Sequence, residues 1–288
     1  MVKLLIFDLD GTLTESGQTL SRYLAARLED LLRQTAVTII SGATLEQIKL
    51  QVLSTLSAKA ELQNLILLPQ NGTHGFEYRG GAWEKSYGFD LDQKEKGGIF
   101  AALEKIYELE KPAAAYPPLV LDKGGQITYS PVGITAPLEA KKSYDADHRK
   151  REKIVAALRS LLPEFEISIG GLSSIDITRK GLNKAFGVNK ILNLKSLSPD
   201  GVVFIGDALF AGGNDNPVRT TGVSCLSVTS PRETAGIINR IVFDLQSEGK
   251  LLEKTDRPFE RRAVLNPSCV EKDWLIHMFY RAIADDNI

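Results

Sequence analysis

Phe7-Asp8-Leu9-Asp10-Gly11-Thr12-Leu13-Thr14 decides the reading of this chain. It overlaps the end of the apolar run Val2–Phe7, which predicts a buried strand. Two carboxylates at i and i+2 at the carboxyl end of such a strand face the crevice where open α/β sheets take their ligands. A plain strand-ending turn is also rich in Asp and Gly, because both accept the backbone angles of tight turns. The two are told apart by whether other polar groups converge on neighbouring strand ends.

Outward from this stretch, strand and helix patterns alternate. Leu20–Arg33 carries Leu20, Leu24, Leu28 and Leu31/Leu32 on one helical face. Ala36–Ile40 reads as a second buried strand, Thr44–Leu56 as a helix capped by Thr44, and Leu65–Pro69 as a third strand. This βαβαβ order predicts a parallel sheet with crossover helices. Phe76–Tyr78 and Ala82–Tyr87 then flank Arg79-Gly80-Gly81 as a hairpin.

From about Gly88 to Thr178 the grammar changes. Ile99, Leu103, Ile106 and Leu109 mark a helix ending before Pro112, and Ile154, Leu158, Leu161 and Leu162 mark another near Pro163. Leu119–Leu121 with Gln126–Ser130, and Phe165–Ile169 with Ser174–Ile177, read as two further hairpins. Hairpins mixed with two helices predict an α+β module with an antiparallel sheet. The parallel pattern then resumes with helix Leu182–Leu192, strand Val202–Ile205, a Gly-rich loop, strand Gly222–Val228 and helix Arg232–Glu248. The expected organisation is a discontinuous core, 1–87 and 179–288, with an inserted cap at 88–178. A C-terminal extension from about 250 carries an expected terminal helix, Trp274–Ile283.

The 288 residues, with 35 Lys+Arg against 36 Asp+Glu and 43% hydrophobic residues, have the composition of an ordinary globular protein. A formal net charge of −1 argues against generic nucleic-acid binding, which needs clustered excess Lys and Arg. The one basic run, His148 to Lys153, is expected on a solvated helix face. Cys225 and Cys269 are too few for a disulfide framework and suit a reducing compartment. Asp8 and Asp10 interrupt the N-terminal apolar run before it could serve as a signal-peptide core, and no stretch of about 18 apolar residues occurs. A cytoplasmic protein with no membrane or nucleic-acid partner, a monomer or homodimer, is expected. Asn71-Gly72-Thr73 reads as a turn; His74, His148 and His277 lack metal-ligand spacing; Trp83 and Trp274 read as packing anchors.

Three more motifs follow the first in order. Ile39-Ile40-Ser41-Gly42 ends the second strand, Gly181-Leu182-Asn183-Lys184 opens a helix, and Phe204-Ile205-Gly206-Asp207 ends a late strand before Gly212-Gly213-Asn214-Asp215. This set resembles the haloacid-dehalogenase-like (HAD) phosphotransferase superfamily. The resemblance implies a Rossmannoid α/β core with a parallel sheet flanked by helices, and the insertion resembles a type-IIB α+β cap. It further implies that Asp8 attacks phosphorus to form an aspartyl-phosphate, while Asp10 protonates the leaving oxygen and activates the acceptor. Ser41 and Lys184 would hold phosphoryl oxygens, with Gly42 beside them. Crowded phosphoryl charge calls for Mg²⁺, a hard cation with oxygen ligands, for which Asp8, the Asp10 carbonyl, Asp207, Asn214 and Asp215 are candidates.

Over about Met1 to Asp244 the chain is most similar to the α-phosphomannomutase family, through the motifs above, Ser130-Pro131-Val132-Gly133 and Gly170-Gly171-Leu172-Ser173-Ser174-Ile175-Asp176. Ser174 and Asp176 match cap residues that contact sugar hydroxyls or phosphate there. The family's phosphate-gripping arginines are replaced by Gly17, Lys123, Ile134 and Lys141. Lysine is a point charge without the guanidinium fork, and glycine and isoleucine carry no charge. Because a mutase must grip a second phosphate, the departures favour a Mg²⁺-dependent phosphatase of a small phosphorylated sugar or polyol, with Lys123, Lys141, Ser174 and Asp176 as substrate-side candidates. A phosphomannomutase-like mutase is the alternative, and a non-catalytic phosphosugar-binding protein a third.

Overall fold

The structure is a computed structural model that describes residues 2–110 and 116–252. Cys269, Trp274, His277 and the expected helix Trp274–Ile283 lie outside the described residues. In chain order the strands are β1 Leu4–Asp8, β2 Ala36–Ile40, β3 Leu65–Leu68, β4 His74–Arg79, β5 Ala82–Gly88, β6 Val120–Asp122, β7 Gln126–Tyr129, β8 Phe165–Gly170, β9 Ser174–Arg179, β10 Val202–Gly206 and β11 Ser224–Ser227. The helices are α1 Arg22–Leu32, α2 Leu45–Gln51, α3 Gln93–Glu110, α4 Leu138–Tyr144, α5 Arg149–Leu161, α6 Lys184–Lys195 and α7 Pro231–Leu252.

One sheet has the order β11-β10-β1-β2-β3-β4-β5. Its first five strands are mutually parallel, and the β4–β5 hairpin adds an antiparallel edge. The hairpin turns on Gly80 and Gly81, both at positive φ, as the twist of a two-residue turn requires. Strand alternation divides β1 between two cores. Leu5 and Phe7 pack with Leu24, Leu28, Leu31 and Ile238 of α1 and α7, while Leu4 and Ile6 pack with Val188 and Ile191 of α6. Burying each such side chain contributes about 1.5–3 kcal/mol, so both faces of the sheet are held by helices. The whole is an α/β fold with helices on both faces of a mostly parallel sheet.

A second sheet, entirely antiparallel, has the order β6-β7-β9-β8. Helices α3 and α5 cover one face through Ile99, Leu103, Ile154 and Leu158 against Ile127, Ile175 and Ile177. This is the expected α+β cap.

Local signals explain most of the element ends. Ser21 caps α1 by accepting from the Leu24 amide, and Thr44 with Gln47 forms a reciprocal capping box at α2. The expected Thr44–Leu56 helix is shorter, because α2 stops at Gln51 and a separate single turn covers Leu53–Thr55. Leu109, expected on the buried stripe of α3, is 76% exposed. Trp83 packs at the edge of the first core and against Tyr78.

The basic run differs from expectation in one residue. Arg149 and Lys150 are exposed, but Arg151 is buried against Asp145, Nε to Oδ2 at 2.9 Å, with Nη1 on the Gly170 and Gly171 carbonyls. The fork finds four acceptor contacts by turning inward, and a helix periodicity does not reveal a partner six residues upstream.

Where α6 meets the turn after β3, backbone touches backbone. A Cβ on Gly72 would lie 2.7 Å from Gly187 Cα, and one on Gly187 would lie 2.9 Å from Gly72 Cα. No helix among the described residues is long and apolar enough to cross a membrane.

Candidate active site

Four strand and helix ends converge. Asp8 ends β1, with Leu5, Ile6 and Phe7 behind it fully buried. The chain then turns tightly, the amides of Leu13 and Thr14 donating to the Leu9 carbonyl at 2.8 and 2.9 Å. Gly11 sits at φ +91 within this turn, and a Cβ there would lie 2.5 Å from Asp207 Oδ2. Glycine is thus required both for the angle and for the approach of Asp207 from the end of β10. Thr12 Oγ1 donates to Asp207 Oδ1 at 3.0 Å, and the Gly17 amide holds Asp10 Oδ1 at 2.7 Å.

Asn183 caps α6, its Oδ1 accepting from the amides of Ala185 and Phe186. That cap fixes the entry of Lys184, which is fully buried. Its Nζ donates to Asp8 Oδ1 at 2.5 Å and to Asp215 Oδ1 at 2.6 Å. Asp215 spends its other oxygen on the Ala208 amide at 3.0 Å, which ties the loop after β10 to the lysine.

Burial pushes the Asp8 carboxyl up; Lys184 opposes this and Asp207 adds to it, leaving the group at about 7. Burial likewise raises Asp215, against Lys184, to about 6. Asp207 is raised by burial and by the neighbouring Asp215, and Asp10 by burial. Burial lowers the Lys184 ammonium, but Asp215 and Asp8 outweigh it and hold the charge firmly.

Carboxylate oxygens of Asp8, Asp207 and Asp215 lie within 4.8 Å of one another. Three carboxylates against one ammonium leave buried negative charge without a counter-ion, and the donors are all hard oxygens. That set fits a magnesium-sized cation, and Asp10 and Asn214 line the same cleft as Asp8 and Asp207.

Asp8, Asp10, Asp207 and Asn214 line a cleft of about 320 Å³ between the two sheets. Asp8, Asp10, Ser41, Gly42, Asp207 and Asn214 line one side. Ser41 is buried, and its Oγ accepts from the Ala43 amide at 3.1 Å. Lys123, Thr128, Lys141, Ser174 and Asp176 line the other side. Lys184 and Asp215 do not line this cleft; Lys184 bonds to Asp8, and Asp215 to the Ala208 amide of the loop after β10.

Both cleft lysines already hold backbone: Lys123 Nζ donates to the Gly42 carbonyl at 2.6 Å and Lys141 Nζ to the Ile134 carbonyl at 2.9 Å. Burial lowers both ammonium groups, against the pull of Asp176 and Asp10 on Lys123 and of Asp10 on Lys141. Ser174 Oγ donates to the Gly170 carbonyl, and Asp176 accepts from Thr128 and Asn71. No arginine is among the described residues that line the cleft.

Sequence reasoning missed several contributors. Asn71 joins Asp176 across 105 residues of chain and Gln126 across 55, separations that no local pattern exposes. His148 stacks on Phe210 at the rim, ring centroids 5.8 Å apart, and Ile169 bridges Gly213 beside them. His74, which lacked metal-ligand spacing in the sequence, is buried, with Nδ1 at 2.9 Å from Thr73 Oγ1 and Nε2 at 3.0 Å from Asp90 Oδ1.

Comparison with known proteins places this geometry among relatives. Residues 24–244 match the model of the family described as eukaryotic phosphomannomutase. The chain is 29% identical over 258 residues to the phosphomannomutase of Saccharomyces cerevisiae, covering 83% of this chain and 93% of that one. It is 27% identical over 259 residues to a probable phosphomannomutase of Caenorhabditis elegans, covering 84% and 96%. Among solved structures, the Plasmodium falciparum IMP-nucleotidase superposes with a TM-score of 0.65 at 18% identity, covering 86% of this chain and 70% of that one.

Proposed function

The chain belongs to the eukaryotic phosphomannomutase family, and from that premise we propose that it moves a phosphoryl group on a phosphorylated hexose through Asp8. The observation that carries the reading is the pairing of Asp8 and Asp10 on one wall of a cleft whose opposite wall offers Lys123, Ser174 and Asp176. A Mg²⁺ held by Asp8, Asp207, Asp215, Asn214 and the Asp10 carbonyl would neutralise the charge of the incoming phosphoryl group.

The steps fall to the chain's own residues. Lys184, itself paired with Asp215, fixes Asp8 Oδ1, and the second Asp8 oxygen is the one that would attack phosphorus. As the new O–P bond forms, the ester P–O bond breaks and Asp10 gives its proton to the leaving oxygen; burial, which raises Asp10, favours the protonated form that this step needs. Ser41 and the loop after it face the transferring oxygens. In the second half, a sugar hydroxyl attacks the aspartyl-phosphate while Asp10 takes its proton. The layer at 88–178 acts as the cap that excludes bulk water between the halves.

Phosphorus NMR of mannose 1-phosphate with a hexose bisphosphate primer tests this. Appearance of the 6-phosphate supports a mutase, and free phosphate alone overturns it. One observation favours hydrolysis as the second reading: with Gly17, Lys123, Ile134 and Lys141 at the positions matched to the family's arginines, no guanidinium fork among the described residues lines the cleft. Both readings require the Asp8 nucleophile, so turnover of any phosphoester by Asp8→Asn equal to the native rate would remove them together.

A further inference from the structure

Asn71 lies in the turn after β3, at φ 56 and ψ 29, and is 4% exposed. Its amide donates to the Ser41 carbonyl at 2.8 Å, so its backbone is fixed to the loop that faces the phosphoryl oxygens. Its side-chain Nδ2 donates to Asp176 Oδ2 at 3.1 Å and to Gln126 Oε1 at 2.9 Å. Asp176 Oδ1 accepts from Thr128 Oγ1 at 2.8 Å. Gln126 Nε2 in turn donates to the Gly42 carbonyl at 3.1 Å, closing a ring between the two sheets.

The polarity of this ring admits one arrangement. Asp176 accepts at both oxygens, so Asn71 must present nitrogen, and Gln126 must present oxygen to Asn71 and nitrogen to the Gly42 carbonyl. Asn71 Oδ1 is left without a partner, the cost of aiming the nitrogen at Asp176. Gly42 leaves the space: a Cβ there would lie 2.6 Å from Asp176 Oδ2. The second sheet's acid is thereby registered against Ser41 and Gly42 through one side chain of the first.

We propose that Asn71 is a positioning residue, which sets Asp176 relative to the Ser41–Gly42 loop and holds the two layers closed over the cleft. Asn71 touches neither Asp8 nor the phosphoryl position; it acts through Asp176. The effect on sugar turnover rests on the reading of Asp176 as a substrate contact, whereas the effect on closure does not.

The test is Asn71→Asp, which keeps size and tolerance of the left-handed backbone but sets carboxylate against carboxylate. Hydrogen exchange at the amides of 123–128 and 174–178 should accelerate by about tenfold or more, the loss of one charge-assisted hydrogen bond, while β1 and α1 stay protected. The double variant Asn71→Asp/Asp176→Asn restores this donor–acceptor pair with its direction reversed while the contact to Gln126 Oε1 stays unmade, so part of the protection should return. In turnover, the rise in KM for a phosphosugar should exceed that for p-nitrophenyl phosphate by about tenfold. Exchange in Asn71→Asp at the native rate, uniform loss of protection over the whole chain, or no recovery in the double variant would each overturn the proposal. Recovered protection with no phosphosugar turnover in any variant, native protein included, would uphold the positioning role and count against the hexose reading alone.

Discussion

Lys184 Nζ stands 2.5 Å from Asp8 Oδ1, both groups buried, and the same nitrogen reaches Asp215 at 2.6 Å. A lysine so placed is an electrostatic support for the attacking carboxylate, not a surface cation. Removing one partner of a buried pair leaves the other charge without compensation, at a cost of about 3–5 kcal/mol. Lys184→Met should therefore lower unfolding free energy by about that amount in chemical denaturation, with turnover lost in the fraction that remains folded.

The acids behind Lys184 make metal-free stability depend on pH. Asp8 is raised to about 7 and Asp215 to about 6, from 3.8 in both cases. A carboxyl whose folded pKa exceeds its unfolded value is protonated more readily in the fold, so its ionisation penalty is absent below pH 3.8 and complete above the folded value. His74, lowered from 6.5 mainly by burial, acts in the opposite sense but only up to pH 6.5. In chelator, the melting temperature should fall between pH 6.5 and 8, and Mg²⁺ should recover more of it at pH 8 than at 6.5. A metal-free melting temperature that rises across this interval would contradict the assignment.

Arg151 ties three cap segments together: the loop at Asp145, the start of α5, and the Gly170–Gly171 turn ahead of Ser174. Arg151→Lys keeps the charge but cannot fork. It should cost about 1–3 kcal/mol through unsatisfied buried carbonyls, measured by denaturant unfolding, and raise KM more than it lowers kcat.

Ile134 is half-buried and lines the cleft, at the position that the sequence resemblance matches to an arginine. Ile134→Arg should tighten binding of a hexose bisphosphate by about tenfold, as one charge-assisted contact contributes about 1.5–3 kcal/mol before the cost of ordering the side chain. Calorimetric titration in Mg²⁺ checks this, and the ratio of isomerised sugar to free phosphate should rise with it.

The order of strands around Asp8 was legible because parallel strands buried on both faces read as unbroken apolar runs, as at Leu4–Phe7 and Val202–Ile205. The motif residues were legible because each sits where a strand or helix ends. Helix α4 was not, since Leu138–Tyr144 has no buried residue and so no apolar stripe. The antiparallel union of β3 with β4 depends on pairing beyond the hairpin itself, which the hairpin signal at Gly80-Gly81 does not specify. Arg151, Asn71 and Gln126 escaped for a common reason. A polar side chain is read as solvated unless its partner is known, and their partners are reached by tertiary folding.

The meeting of Gly72 with Gly187 has a consequence for tolerance to change. Gly187 lies three residues after Lys184, so the depth to which the lysine reaches is set by two hydrogens where any other residue would carry carbon. A methyl group at Gly187 would act as a wedge, levering the first turn of α6 outward about its far end and drawing the ammonium away from both acids. The chemistry at Asp8 is in this sense anchored by an absence of atoms, and a substitution that touches no ionisable group would silence it.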